Sequence, residues 1–225
     1  MNVLITGGAS GLGAAVARRV ADDGGRPLVL DRHPPEDGVE HMRADLADRR
    51  VADRAVHGLA RAAGGLNAVV CAAGVDSCGT LEDVPAEDWE RVVQVNLLGT
   101  AAVVRSALPY LENEPHGRVV TVASTLGFKA VSDATAYCAS KFGVVGFTRA
   151  LAAELAGKVG VTMIVPGGMD TAFFDDRTEQ YRPGPDAELN RPEDVAATVA
   201  FALSQPAGCE VREMVVCPSQ EPSWP

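Results

Sequence analysis

Short apolar runs alternate with longer helical stretches from one end of the chain to the other. The apolar runs are residues 3–5 (Val3-Leu4-Ile5), 27–30, 68–72, 118–123, 161–165 and 214–217. Between them, residues 12–21, 51–63, 137–156 and 192–203 read as helices. A further helix starts at Pro85-Ala86-Glu87-Asp88-Trp89, where acids in the first turn suit the helix dipole, and runs to about Leu111. Strands that are apolar throughout, separated by helices, predict an α/β protein: a doubly wound parallel sheet with helices on both faces. No repeat, linker or shift in composition divides the chain. Residues 1–225 are expected to form a single domain.

One stretch breaks the rhythm. Residues 170–191 mix Phe173, Phe174 and Tyr181 with acids and with Pro183 and Pro185. A long irregular stretch in a compact domain is commonly functional, so a substrate lid is expected there. The three aromatics would either close over an apolar substrate or pack the lid down.

Composition narrows the function classes. Apolar residues make up 47% and charged residues 22% of the 225, which supports one large core and argues against a disordered chain. A net charge of −10, with arginines scattered among acids, gives no basic stripe for nucleic acid. Cys71, Cys78, Cys138, Cys209 and Cys217 form no C-x-x-C pair, and His33, His41, His57 and His116 have no ligand spacing. Reduced thiols in a cytoplasm and no metal site are the expectation. The N-terminus reads directly into a strand, without a leader pattern. Apolar runs such as residues 66–75 are too short to span a bilayer, so no membrane partner is expected.

Two local patterns carry chemistry. Thr6-Gly7-Gly8-Ala9-Ser10-Gly11-Leu12-Gly13 follows the first strand and opens the first helix. Glycines there allow a tight turn and let the backbone approach a pyrophosphate seated on the helix N-terminus. Asp31 ends the second strand, eighteen residues past Gly13, where a carboxylate can accept from a ribose diol and repel a 2′-phosphate. This favours NAD; Arg32, which could meet a 2′-phosphate, leaves NADP open. The second pattern is Tyr137 and Lys141, four residues apart on a helix and therefore on one face, with Ser124 thirteen residues before the tyrosine. An ammonium beside a phenol stabilises phenolate, so the tyrosine pKa is expected to fall and proton exchange to become possible near neutral pH.

These residues make the chain resemble the short-chain dehydrogenase/reductase family, a single-domain Rossmann fold, over nearly its whole length. The T-G-x-x-x-G-x-G loop is Thr6, Gly7, Gly11 and Gly13; the Y-x-x-x-K pair is Tyr137 and Lys141; the serine is Ser124. Asn96 matches the asparagine of the long helix, and Asp45-Leu46 the pair that borders the adenine. Pro166-Gly167-Gly168-Met169-Asp170-Thr171 matches the P-G loop after the sixth strand. The resemblance departs at Cys71-Ala72-Ala73-Gly74, where the family has N-N-A-G, and at residues 218–225, which lack a glycine-rich ending. It also implies seven strands, one more than the apolar runs supply.

What the resemblance implies is NAD(P)-dependent interconversion of a secondary alcohol and a ketone. Tyr137 would be the general acid/base, Ser124 would hold the reacting oxygen, Lys141 would bind the nicotinamide ribose, and Asn96 would hold a water joining the lysine to solvent. The nucleotide would meet Gly7, Ser10, Gly11, Leu12, Gly13, Asp31, Arg32, Asp45, Leu46, Ala73, Gly74, Tyr137, Lys141, Pro166, Gly167, Met169 and Thr171. A homodimer or homotetramer is implied as well. Ser10 stands where an extended-branch epimerase has its middle glycine, and no G-x-S-x-G elbow points to a hydrolase. The reading from another class is a non-catalytic nucleotide sensor of the same fold; retention of Ser124, Tyr137, Lys141 and Asn96 together speaks against it.

Overall fold

In a computed structural model, residues 1–35 and 38–224 are described, and seven parallel strands form one sheet in the order β3-β2-β1-β4-β5-β6-β7. The strands are β1 (Asn2–Thr6), β2 (Arg26–Asp31), β3 (His41–Arg43), β4 (Ala68–Cys71), β5 (Arg118–Val122), β6 (Gly160–Pro166) and β7 (Glu213–Val216). The helices are α1 (Gly11–Asp22), α2 (Arg49–Ala63), α3 (Ala86–Val93), α4 (Thr100–Leu111), α5 (Thr135–Glu154) and α6 (Pro192–Leu203). This is the doubly wound α/β architecture expected from the alternation of runs.

Every residue of β4, β5 and β6 is buried, because helices cover both faces. On one face Val16, Val20, Val195 and Val199 of α1 and α6 pack on Ile5, Val70 and Val120 of the strands. On the other, Val56, Leu59, Val103 and Leu111 of α2 and α4 pack on Leu4, Leu28 and Val69. Helix ends follow local chemistry. The Asp48 carboxylate accepts from the Arg50 and Val51 amides to start α2, and Gly64 closes it at φ 79°.

The strand that the apolar runs did not supply is β3. Its three residues, His41, Met42 and Arg43, are all exposed at the sheet edge, so no buried run marks them. The long helix also differs from the expectation. It is one continuous rod of 26 residues (Ala86–Leu111), but residues Gln94–Gly99 widen into a π-helical turn. That rod is long and apolar enough to cross a membrane, a feature that consecutive apolar runs do not reveal, yet 56% of its most apolar window is buried inside the fold. A π turn inside an α-helix frequently marks a functional position, and this one holds Asn96.

The strand order reverses between β1 and β4. In open α/β sheets the crevice beyond the carboxyl ends of the strands at such a reversal is where ligands bind. The glycine loop after β1 and Ala72–Gly74 after β4 meet there.

Candidate active site

The glycine loop is shaped by contacts that leave no room for side chains. A Cβ at Gly13 would run into the Gly7 carbonyl, and one at Gly7, whose φ is +71°, would sit 2.7 Å from the Ala73 Cα. Ser10 caps α1 in an extended conformation without a side-chain bond, which leaves the first amides of that helix open at the crevice. Leu12 is buried beneath them. Thr171 lies against Gly11, 3.4 Å from where a Cβ would stand, so the loop after β6 borders the glycine loop.

Asp31 lies at the end of β2 beside this loop. Its carboxylate accepts from the Ala9 amide at 3.1 Å and the His33 amide at 3.0 Å. Both oxygens are therefore held in place at the rim of the crevice. Arg32 is exposed next to it. Asp45 accepts from the Ala47 amide at 3.0 Å and from Arg91 at 2.9 Å. Burial opposes ionisation there, but those partners outweigh it and keep the Asp45 carboxyl below the usual range. Leu46 is buried beside it, with its Cβ and carbonyl against Gly99.

Beyond the crevice stand Ser124, Tyr137 and Lys141. Ser124 follows β5 and is 8% exposed; Tyr137 is on the first turn of α5 and Lys141, 5% exposed, is one turn on. The Lys141 ammonium lies 5.5 Å from the centre of the Tyr137 ring and donates to the Val122 carbonyl at 2.9 Å. The Ser124 hydroxyl lies close enough to the phenol to favour its phenolate. The structure thus brings together the three residues that the spacing singled out.

Their electrostatics correct one expectation. The phenol is pushed above its ordinary range, not below it. Desolvation is the main cause, and the Asp76 carboxylate adds to it, while Ser124 and Arg177 pull the other way. The Lys141 ammonium faces the ring but is itself weakened: burial lowers it to about 8, against the pull of Asp76. Desolvation disfavours the charged form of each partner, phenolate and ammonium alike, which spacing alone does not reveal.

That burial has a measurable consequence. Lys141 titrates near 8 in the folded chain and near its ordinary 10.5 when unfolded. Between those values the unfolded chain binds more protons, so folded stability rises with pH. In Lys141→Met this component vanishes. The stability difference between wild type and variant should therefore drift in favour of wild type from about pH 8 to 10.5, by up to about 3 kcal/mol. Denaturant melts across that range check it, and a flat difference would contradict the burial.

Asn96, in the π turn, is held on several sides. It is 1% exposed, and its amide is committed: the side-chain oxygen accepts from the Val75 amide at 2.8 Å, and the nitrogen donates to the Val75 carbonyl at 2.9 Å and the Ser140 hydroxyl at 3.0 Å. The Asn96 carbonyl accepts from Thr100 Oγ1 at 2.8 Å. The side chain therefore braces the loop after β4 against α5. Ala73 is tied by its amide to Thr6 Oγ1 at 3.1 Å. These bonds hold Ala73 and Gly74 in place although Cys71 and Ala72 stand where the family has asparagines.

The loop after β6 continues from Pro166. The Gly167 amide donates to Val216 at 2.9 Å, and Met169 forms a bridge with Asn190 that closes the base of the 170–191 segment. Within this segment the Phe173 ring sits 5.8 Å from the Tyr137 ring. Asp76, Arg177, Glu221 and Trp224 escaped the sequence reading. Asp76 and Arg177 form an ion pair at 2.6 Å beside the phenol. Glu221 accepts from the Gly168 amide at 2.9 Å. Lys129 donates to the Pro222 carbonyl at 2.8 Å, and Trp224 packs edge-on to Phe128 at 5.6 Å. The tail thereby joins the loops after β5 and β6 without the glycines whose absence the sequence showed; Pro225 lies outside the described residues. Position supplied the one signal available for Asp76, which falls two residues beyond Gly74.

Known proteins are similar to this chain in sequence and in fold. The profile of the family described as short chain dehydrogenase matches residues 1–182. An uncharacterised oxidoreductase of Staphylococcus aureus (strain MW2) is 30% identical, over 96% of each chain. A 2-dehydro-3-deoxy-L-rhamnonate dehydrogenase (NAD(+)) of Sphingomonas sp. (strain SKA58) is 31% identical, covering 90% of this chain and 87% of that one. Among solved structures, actinorhodin polyketide ketoreductase with NADPH superposes at a TM-score of 0.84 with 28% identity, covering 96% and 95%. The ligand-free aldohexose dehydrogenase of Thermoplasma acidophilum shares the fold at a TM-score of 0.87 and 24% identity, covering 96% and 92%. The chain belongs to the short-chain dehydrogenase/reductase family and is an oxidoreductase of that family.

Proposed function

We propose that this protein interconverts a secondary alcohol and a ketone with NAD, and that Tyr137 is its general acid/base. The observation that carries the reading is the grouping of the Tyr137 phenol, the Ser124 hydroxyl and the Lys141 ammonium beyond the strand-order reversal. The glycine cradle fits a dinucleotide, because Gly7 and Gly13 face backbone that any Cβ would meet. Gly7, Ser10, Gly11, Leu12 and Gly13 would hold the pyrophosphate, Asp31 the adenosine ribose, and Asp45, Leu46, Ala73 and Gly74 the adenine side. Pro166, Gly167, Met169 and Thr171 would hold the carboxamide. The nicotinamide supplies or accepts the hydride when bound.

The residues of the chain manage the proton and the reacting oxygen. Ser124 donates a hydrogen bond to that oxygen and stabilises charge as it develops. Tyr137 gives its proton to the oxygen in reduction and takes the hydroxyl proton in oxidation. A phenol raised above its ordinary range stays protonated at neutral pH, though as a weaker acid, and needs a higher pH to act as a base. Lys141 would hold the ribose and offer the route by which the phenol regains a proton. Asn96 fixes Val75 and Ser140, and so the walls around the lysine.

NAD is favoured by the fixed Asp31 carboxylate; the relative from Sphingomonas is named for NAD(+), while the ketoreductase was solved with NADPH. Asp31→Ser should lower the NAD-over-NADP preference at least tenfold, since a charged hydrogen bond is worth about 1.5–3 kcal/mol. Unchanged selectivity would assign the ribose to another group. The function itself is tested by following reduced-nucleotide absorbance with a panel of ketones and alcohols. Turnover supports the reading; nucleotide binding without turnover across the panel would favour a sensor. The five free thiols suit a reducing cytoplasm. Leu98 and Phe142, exposed on the two long helices, suit pairing of copies.

A further inference from the structure

Arg177 and Asp76 are 101 positions apart, and the fold brings them together next to the Tyr137 ring. The Asp76 side chain is 5% exposed and that of Arg177 19%. Arg177 Nη2 donates to Asp76 Oδ2 at 2.6 Å, and the same oxygen accepts from the Cys78 thiol at 3.2 Å. Asp76 Oδ1 accepts from the Ser77 amide at 2.8 Å, so the carboxylate is rigidly aimed. The guanidinium lies over two rings at once, 5.2 Å from the centre of Phe173 and 4.6 Å from that of Phe174. Phe173 in turn lies on Tyr137. Arg177 Nη1 donates to the Tyr181 carbonyl at 3.3 Å. One side chain thus ties together both turns of the 170–191 segment and joins them to the loop after β4. Arg177 Nε is buried with no partner among the described residues, a donor that a purely structural fork would use.

Resting on the function proposed above, we propose that Asp76 and Arg177 are positioning residues: their ion pair fastens the 170–191 segment across the catalytic phenol. Phe173 is the contact through which the fastening reaches the ring. The polar and titratable groups facing the phenol come from every element around it: Asp76 after β4, Ser124 after β5, Cys138 and Lys141 on α5, and Arg177 on the segment. Asp76 disfavours the phenolate and Arg177 favours it. With the pair intact each opposes the other, Asp76 the more strongly. With one partner removed, the other acts on the phenol alone.

Three variants test this: Arg177→Met, Arg177→Lys and Asp76→Asn. The first measurement is the rate of chymotryptic cleavage after Phe173, Phe174 and Tyr181, bonds present in all variants, and it needs no turnover. Arg177→Met and Asp76→Asn should be cut at least tenfold faster than wild type. Arg177→Lys keeps the charge but not the planar stack, and should fall between. The second measurement is the pH profile of the oxidation rate. Its midpoint should rise by about a unit in Arg177→Met and fall by about a unit in Asp76→Asn, while Arg177→Lys stays near wild type. A merely structural role would not move the two midpoints in opposite directions. Cleavage rates equal to wild type, or midpoints that coincide, overturn the proposal. If no alcohol or ketone is turned over, the functional reading fails and the cleavage rates alone decide the fastening.

Discussion

Tyr137→Phe should lose turnover by a factor of about 10²–10⁴ while still binding nucleotide, because proton transfer by a positioned side chain is worth about that much. The substitution removes one oxygen and keeps the ring. Phe173 still has its neighbour at 5.8 Å, and α5 keeps its packing through Ala136, Cys138 and Ser140. A stability loss large enough to mimic inactivation is therefore not expected. Initial rates with a responsive ketone, together with nucleotide titration and a melting curve, separate chemistry from folding. A variant that works at near-wild-type rates would remove Tyr137 from the mechanism.

Ser124→Ala is expected to cost about 2.7–4 kcal/mol of transition-state stabilisation, a fall of 10²–10³ in kcat, if its hydroxyl acts as a single oxyanion donor. Two side effects come from the structure. Ser124 Oγ accepts from the Leu126 amide at 3.1 Å and caps the short turn Thr125–Gly127, so about 1 kcal/mol of stability should go with it. Ser124 also favours the phenolate, so its loss should shift the oxidation profile to higher pH. A rate loss with no pH shift would mean that the hydroxyl holds substrate without touching the proton. No rate loss would place the reacting oxygen elsewhere.

The sheet was legible where burial was complete. Residues 118–122 and 161–165 are mostly Val, Ile and Met because both faces are covered, and such runs stand out in any sequence. Strand β3 was invisible for the opposite reason: His41, Met42 and Arg43 lie exposed at an edge and are held by backbone pairing with β2. The π turn was also invisible, since Gln94–Gly99 has ordinary helical composition. It became apparent only where Asn96 is seen bracing Val75 and Ser140.

Local spacing decided much of the candidate site. The glycines follow β1 directly, and four positions along one helix put Tyr137 and Lys141 on one face whatever the rest of the fold does. The alternation of buried runs and helices was likewise written in the chain, because covering both faces of a sheet demands it. Tertiary structure decided the order of the strands, the meeting of Asp76 with Arg177 across 101 positions, and the direction in which the Tyr137 phenol shifts. Those depend on desolvation and on charges distant in sequence, which no local pattern encodes.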